Sequence, residues 1–191
     1  MKHYEKELPA NYREAFTIDA ADKKTGLRLN IAAAFVIAAI IAVSALAIRP
    51  GSFIENYSLL RNVIAIASIF VYLVLHELTH GAAYKLLTRQ KLTFGFNASV
   101  AYCGVPDIYV YRRASLISLL APFVVFTIVF GALTAMLRAP WDKMYAAILL
   151  AIHIGGCAGD LYDTGLYLFR FRDPRTLMRD TGPKQVFYTV E

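Results

Sequence analysis

The sequence contains few cysteines and few charged residues for its length. Only two of its 191 residues are cysteine, Cys103 and Cys157, and their spacing matches neither a metal finger nor a disulfide framework. Charged residues make up 18% of the chain and hydrophobic residues 58%, with a mean hydropathy of +0.48. Soluble domains are usually closer to half apolar. The composition therefore argues against a secreted disulfide scaffold and against a soluble helical bundle.

Basic residues are absent from four long apolar stretches. These stretches cover residues 29–48, 62–84, 114–137 and 144–169. Each has about 20 to 26 residues, which is enough for a helix to cross a hydrocarbon core of about 30 Å. The sequence therefore predicts an all-α polytopic membrane protein with four transmembrane helices.

The segment before the first apolar stretch lacks the pattern of a cleavable signal peptide. About 27 mostly polar residues come first, and no small-residue cleavage site follows a short apolar core. We expect the first span to remain as an anchor. The predicted organisation is an N-terminal tail of residues 1–28, a membrane domain of residues 29–170 and a C-terminal tail of residues 171–191.

The basic residues are distributed unevenly between the two sides of the predicted membrane domain. Both tails and the loop between spans two and three carry sixteen lysines and arginines, against four in the other two loops. Basic loops stay in the cytoplasm, so we expect a multi-pass protein of a bacterial cell membrane with both termini cytoplasmic. This asymmetry accounts for the net charge of +6 without a nucleic-acid partner.

The second span contains the segment "HELTH", in which three ionisable residues interrupt a membrane helix. His76 and His80 are four residues apart, so both side chains project from one face of the helix. H-E-x-x-H is a zinc signature in which the glutamate, here Glu77, acts as general base on a zinc-bound water. Ionisable groups at membrane depth are costly and usually functional. The segment therefore predicts a metal site.

A catalytic zinc site usually takes a third protein ligand. The chain has six glutamates, and after the motif only the terminal Glu191 remains, so the thermolysin-type arrangement is absent. Counted from the basic residue that ends each span, Asp160 and Asp163 lie within about 3 Å of the depth of Glu77. His153 lies about 13 Å further out on the same estimate, so either aspartate is a candidate ligand.

Small residues precede the first of these aspartates. Gly155 and Gly159 form a G-x-x-x-G pattern, which lets membrane helices approach closely. A short aspartate side chain would need such an approach to reach a metal on span two, so the pattern favours Asp160. Simple helix packing would use the same glycines.

Three segments carry a resemblance to a known family. "HELTHGAAYKLL", "ISLLAPFVV" and "HIGGCAGDLYD" resemble the putative zincin peptidase family of small four-span membrane proteins, formerly a domain of unknown function, over residues 61–163. The pattern is also similar to site-2 protease-type intramembrane metalloproteases. The resemblance implies that His76, His80 and Asp160 bind Zn²⁺ and that Glu77 activates water.

Two features lie outside this resemblance or depart from it. Site-2 proteases carry an Asn-Pro-type motif ahead of the aspartate, where this chain has His153 and no proline. We expect His153 to hydrogen-bond to a neighbouring helix, with a bond to a developing oxyanion as the functional alternative. In the central loop, "TFGF" and "SVAY" around Asn97 predict a short β-hairpin that would bind an extended substrate.

The sequence thus predicts a membrane-embedded zinc metalloendopeptidase. Its expected substrates are membrane proteins or peptides in or near the lipid bilayer, with no nucleic-acid partner. The alternative is a non-enzymatic protein, either a pseudoprotease that binds membrane partners or a metal-handling protein. The sequence does not fix the oligomeric state.

Overall fold

The structure is a computed structural model that describes residues 2–48, 58–96 and 101–191. Five helices lie in these ranges: α1 (Lys23–Ala47), α2 (Leu59–Thr88), α3 (Arg112–Met136), α4 (Pro140–Gly156) and α5 (Ala158–Phe169). Seven strands lie there too: β1 (Tyr4–Glu5), β2 (Tyr12–Asp19), β3 (Thr93–Phe96), β4 (Ala101–Gly104), β5 (Tyr109–Tyr111), β6 (Leu177–Asp180) and β7 (Lys184–Val190).

Three of the helices, α1, α2 and α3, are long and apolar enough to cross a membrane. The pair α4 and α5 passes the same test together, but a bend of 47° separates the two helices. Residues 144–169, predicted as the fourth transmembrane helix, are therefore divided between two helices, and the described residues contain four spans only if this bent pair crosses as one. Gly155 and Gly156 end α4, and glycine weakens helices through its backbone freedom. The helix is interrupted at Cys157, directly after these two glycines.

A five-stranded sheet corrects the all-α prediction. Its strand order is β1-β5-β6-β7-β2, and all neighbouring pairs are antiparallel. Both predicted tails contribute strands, and β2 pairs with β7 from Tyr12 opposite Val190 to Asp19 opposite Lys184. The segments that pair lie at opposite ends of the chain. Helical period and hydropathy report local structure and do not reveal such pairing.

The predicted hairpin of the central loop is confirmed by β3 and β4. These strands pair antiparallel, with Thr93 opposite Gly104 and Phe96 opposite Ala101. The predicted turn around Asn97 lies outside the described residues. In the described part of the chain, this two-stranded sheet is separate from the five-stranded one.

The chain folds as two compact units. One comprises residues 1–29, 77–122 and 159–191, and the other comprises residues 30–76 and 123–158. The first unit contains the five-stranded sheet, whose Phe187 and Met178 pack with Tyr167 of α5 in a buried core. In the second unit, a smaller core forms around Tyr72, Phe126 and Phe130.

Asp180, at the end of β6, connects the sheet to α2 within the first unit. Its Oδ2 accepts a hydrogen bond from the hydroxyl of Tyr84 on α2, at 2.7 Å. Its Oδ1 accepts bonds from the backbone N–H of Gly182 and from Gln185. Its carbonyl accepts the N–H of Val105, the residue that follows β4. Asp180 therefore links α2, the end of the β3–β4 hairpin and the β6–β7 turn.

We expect the stability contribution of Asp180 to depend on pH. Burial raises the pKa of its carboxyl from 3.8 to about 6, against the opposing effect of the Tyr84 hydrogen bond. Because the folded-state pKa is the higher one, this contribution is fully present below about pH 4 and is lost as pH rises through 6. The difference in unfolding temperature between the wild type and Asp180→Asn should therefore shift in favour of the wild type as the pH is lowered from 7.5 to 5.

The control for this comparison is Asp173→Asn. Asp173 is exposed, and the hydrogen bonds from Arg175 lower its pKa, so its contribution does not change in that pH window. If the unfolding temperatures of the wild type and Asp180→Asn differ by the same amount at pH 7.5 and pH 5, Asp180 does not titrate as a buried group in this range.

Candidate metal centre

The three residues of the H-E-x-x-H motif lie on α2, as the sequence predicts. His76 and His80 are one helical turn apart, and each is 7% exposed, while Glu77 is partly buried. The continuous helix fixes the spacing of the two imidazoles. The outcome is a pair of buried ring nitrogens on one side of a helix, with a carboxylate beside them.

A backbone carbonyl orients the ring of His80. Nδ1 of His80 lies 2.8 Å from the carbonyl oxygen of Ser118 on α3. A carbonyl can only accept, so Nδ1 carries the proton and the lone pair of the neutral ring is on Nε2. This is the tautomer that a histidine needs in order to bind a metal through Nε2.

Pro122 explains why the Ser118 carbonyl can accept this bond. In a helix, that carbonyl would accept the N–H of the residue four positions later. That residue is Pro122, which has no N–H to donate. The proline inside α3 thus leaves an acceptor on the helix, and His80 uses it.

Asp160 lies against the other nitrogen of His80. Nε2 of His80 and Oδ2 of Asp160 are 3.4 Å apart, and both groups are largely buried. Two ligands that hold one tetrahedral zinc ion by bonds of 2.0–2.1 Å are separated by about 3.3 Å. The observed distance fits such a pair. Asp160 stands in the first turn of α5, directly after the break at Cys157.

Asp163 and His153 occupy different surroundings from Asp160. Asp163 is 4% exposed, and its Oδ1 has no hydrogen-bond partner among the described residues. His153 is fully buried on α4, where its Nε2 lies near the carbonyl oxygen of Phe123 and the hydroxyl of Thr127. These bonds reach the part of α3 that belongs to the second unit.

Two groups of side chains in the described part of the chain could hold a metal ion. His76 belongs to both. One group joins it to His80 and Asp160, and the other joins it to His153 and Cys157. The first group contains the nitrogen and oxygen donors that the H-E-x-x-H motif predicts, whereas the second adds a thiol.

The G-x-x-x-G pattern serves a different contact from the expected one. A side chain at Gly155 would collide with Ile37 and with the carbonyl of Ala33, both on α1. A side chain at Gly159 would meet nothing within 4 Å. The prediction that Gly155 and Gly159 form one helix face that brings Asp160 close to span two is therefore wrong. The helix break separates the two glycines, and Gly155 packs against α1.

A different glycine brings the hairpin close to the motif. Gly81 directly follows His80, and a Cβ at this position would lie 2.7 Å from the ring of Phe94 on β3. A side chain at this position would have to displace the ring of Phe94, which is partly exposed. The hairpin therefore packs directly on the helix that carries the motif.

Sequence reasoning missed Ser118 and Tyr72 as partners of the motif histidines. The hydroxyl of Tyr72 lies 3.1 Å from Nδ1 of His76, one turn further along α2. A polar residue four positions before a candidate ligand is a signal that was present in the sequence. For Ser118 the signal was Pro122, four positions later, which leaves the Ser118 carbonyl without its helical partner. That His80 bonds to this carbonyl could not be read from the sequence, because the contact depends on tertiary structure.

Comparison with known proteins finds one protein family. The profile of a family described as "Putative zincin peptidase" matches residues 69–173. The match includes the motif on α2, all of α3 and all of α5. No curated protein and no solved structure matches this chain. The family description implies zinc, in agreement with the donor set around His80.

We expect Asp160 to contribute more to zinc binding than Asp163. Asp160→Asn should lower the zinc content of the purified protein well below one per chain, because it removes the carboxylate beside Nε2 of His80. Asp163→Asn, three residues away on the same helix, is the matched control and should retain zinc. Metal analysis after dialysis measures both. The opposite ranking would move the third ligand to Asp163.

Proposed function

The chain belongs to the putative zincin peptidase family, and on that premise we propose that it is a zinc metalloendopeptidase of the membrane. In this proposal His76, His80 and Asp160 hold the zinc ion, and Glu77 is the general base. The substrates are membrane proteins or peptides whose scissile bond lies in or near the bilayer.

The contact between His80 and Asp160 is the observation that carries the proposal. The 3.4 Å distance brings an imidazole nitrogen and a carboxylate oxygen to the separation of two ligands of one ion. The bond to Ser118 supports it independently, because it fixes the His80 tautomer that presents Nε2. The residues that make both contacts, His80, Ser118 and Asp160, all lie in the first compact unit.

The chemistry requires a base that can accept and then release a proton. When bound, zinc supplies Lewis-acid activation of a water molecule and of the substrate carbonyl. Glu77 takes a proton from the attacking water as the water oxygen bonds to the carbonyl carbon. It then passes that proton to the amine nitrogen as the C–N bond breaks. Peptide hydrolysis balances with one water and no other reactant.

The hairpin of β3 and β4 supports a role in presenting the substrate. An extended peptide can add to a strand edge through backbone hydrogen bonds, which gives binding that tolerates many sequences. In the described part of the chain, β3 pairs only with β4. Phe94 and Phe96 on β3 are 47% and 88% exposed, and Phe94 packs over Gly81 beside His80. A peptide bound along this edge would run next to the motif helix.

We expect Glu77→Gln to separate metal binding from catalysis. The amide cannot accept the proton of the attacking water, and general bases contribute about 10²–10⁴-fold to rate. The variant should therefore lose cleavage of a quenched-fluorescence membrane peptide library in proteoliposomes by about that factor. Its zinc content should equal that of the wild type, because Glu77 is not a ligand in this proposal.

A different outcome would favour a non-enzymatic role. If Glu77→Gln complements the biological function of the wild type fully, the peptidase proposal fails, and a pseudoprotease or a metal-handling protein becomes the better account. His80→Ala serves as the second variant in the same assay, since it should lose zinc and cleavage together.

A further inference from the structure

A buried chain of hydrogen bonds runs from a carbonyl of α3 to His76. Within the second unit, the hydroxyl of Tyr72 lies 2.9 Å from Nδ1 of His153 and 3.1 Å from Nδ1 of His76. The other nitrogen of His153, Nε2, lies 3.2 Å from the carbonyl oxygen of Phe123. Tyr72 is 3% exposed and His153 is fully buried. The bonds are thus removed from water.

The carbonyl of Phe123 stands at one end of this chain of hydrogen bonds and determines which group donates in each of them. Nε2 of His153 also lies 3.1 Å from the hydroxyl of Thr127, which can donate or accept. Because the Phe123 carbonyl can only accept, a lone pair on Nε2 would face another lone pair, so Nε2 carries the proton and Thr127 is a second acceptor for it. A neutral imidazole has one N–H, so Nδ1 of His153 accepts, and the Tyr72 hydroxyl donates to it. The oxygen of Tyr72 then accepts from His76, which places the His76 proton on Nδ1.

The surroundings of His153 favour its neutral form. Its ring lies among Phe123, Phe126 and Phe130, with centroid distances of 6.1, 5.9 and 6.0 Å. A charged imidazolium is costly to transfer into such surroundings. With the ring neutral, each bond of the chain has one donor and one acceptor.

We propose that Tyr72 and His153 are positioning residues that hold His76 in the tautomer that binds zinc through Nε2. This inference rests on the proposed function, because it assumes that His76 is a zinc ligand. In this proposal Tyr72 accepts the Nδ1 proton of His76, just as the Ser118 carbonyl accepts the Nδ1 proton of His80. Partners on the second ring nitrogen of a metal-binding histidine fix the orientation and raise the basicity of the ligand.

The same residues suggest a rival site, which the geometry disfavours. His76, His153 and Cys157 have ligand atoms within 4.8 Å of one another. Tyr72, however, lies within hydrogen-bond distance of Nδ1 of both histidines, while Sγ of Cys157 is 3.7 Å from Nδ1 of His153. A thiol is a weak hydrogen-bonding group. The tyrosine therefore satisfies these nitrogens better than the cysteine does.

The test is a zinc-competition titration of the purified full-length protein against a chelator of known affinity. Tyr72→Phe removes the hydroxyl and retains the ring that packs on Phe126 and Phe130. It should weaken zinc binding by about 10- to 100-fold, without changing the stoichiometry at saturation. Tyr145→Phe is the matched control, because it removes a hydroxyl that bonds to Asn62 in the same unit, and it should bind zinc as the wild type does.

A double-mutant cycle distinguishes positioning from general loss of structure. His153→Leu should weaken zinc binding by a similar factor, and adding Tyr72→Phe to it should cause little further loss, because both act through one chain of bonds. In ¹⁵N spectra of the zinc-loaded wild type, His76 should show a protonated Nδ1, and this signal should move in Tyr72→Phe.

The outcomes separate this inference from the proposed function. If the wild type binds zinc and Tyr72→Phe binds it with equal affinity, the positioning role is overturned and the zinc site stands. If Cys157→Ala loses zinc while Tyr72→Phe retains it, the rival site replaces the positioning role. If the wild type binds no zinc, the proposed function and this inference fail together.

Discussion

His80 is held from both sides, and the candidate site depends on this arrangement. The Ser118 carbonyl fixes the proton on Nδ1, and Asp160 lies against Nε2. Pro122 makes the first contact possible by withholding an N–H from the carbonyl. A proline would weaken an isolated helix, but here the carbonyl that loses its helical partner is satisfied by the motif histidine. In an apolar surrounding, an unsatisfied carbonyl would be costly.

Strand β6, near the C-terminal end of the chain, supports the motif helix through Asp180. Asp180 of β6 bonds to Tyr84, one turn beyond His80 on α2, and to the residue that follows the hairpin. The family match ends at residue 173, before β6 begins. The part of the chain that anchors α2 therefore includes residues beyond the match. Positioning of the site is shared between the family segment and the C-terminal hairpin of β6 and β7.

The sequence was informative where the structure is local. His76, Glu77 and His80 lie as predicted because i to i+4 spacing is a property of one helix. The depth estimate gave Asp160 and Asp163 together as candidates, and the break at Cys157 does not affect it because the count back from Arg170 to either residue stays on one side of that break. The choice of Asp160 between the two came from the glycine pattern and the family resemblance. The sheet was missed because β2 and β7 pair across most of the chain. Ser118 was missed because its role depends on which side chain faces its carbonyl.

X-ray absorption at the zinc edge tests the central claim most directly, since it reports both the presence of the ion and the identity of its ligands. The purified wild type should contain one zinc ion per chain, coordinated by nitrogen and oxygen at about 2.0–2.1 Å, with no sulfur at about 2.3 Å. That result would agree with His76, His80 and Asp160 as the ligands. A chain that retains no zinc, or a zinc ion with a sulfur neighbour such as Cys157, would contradict the account.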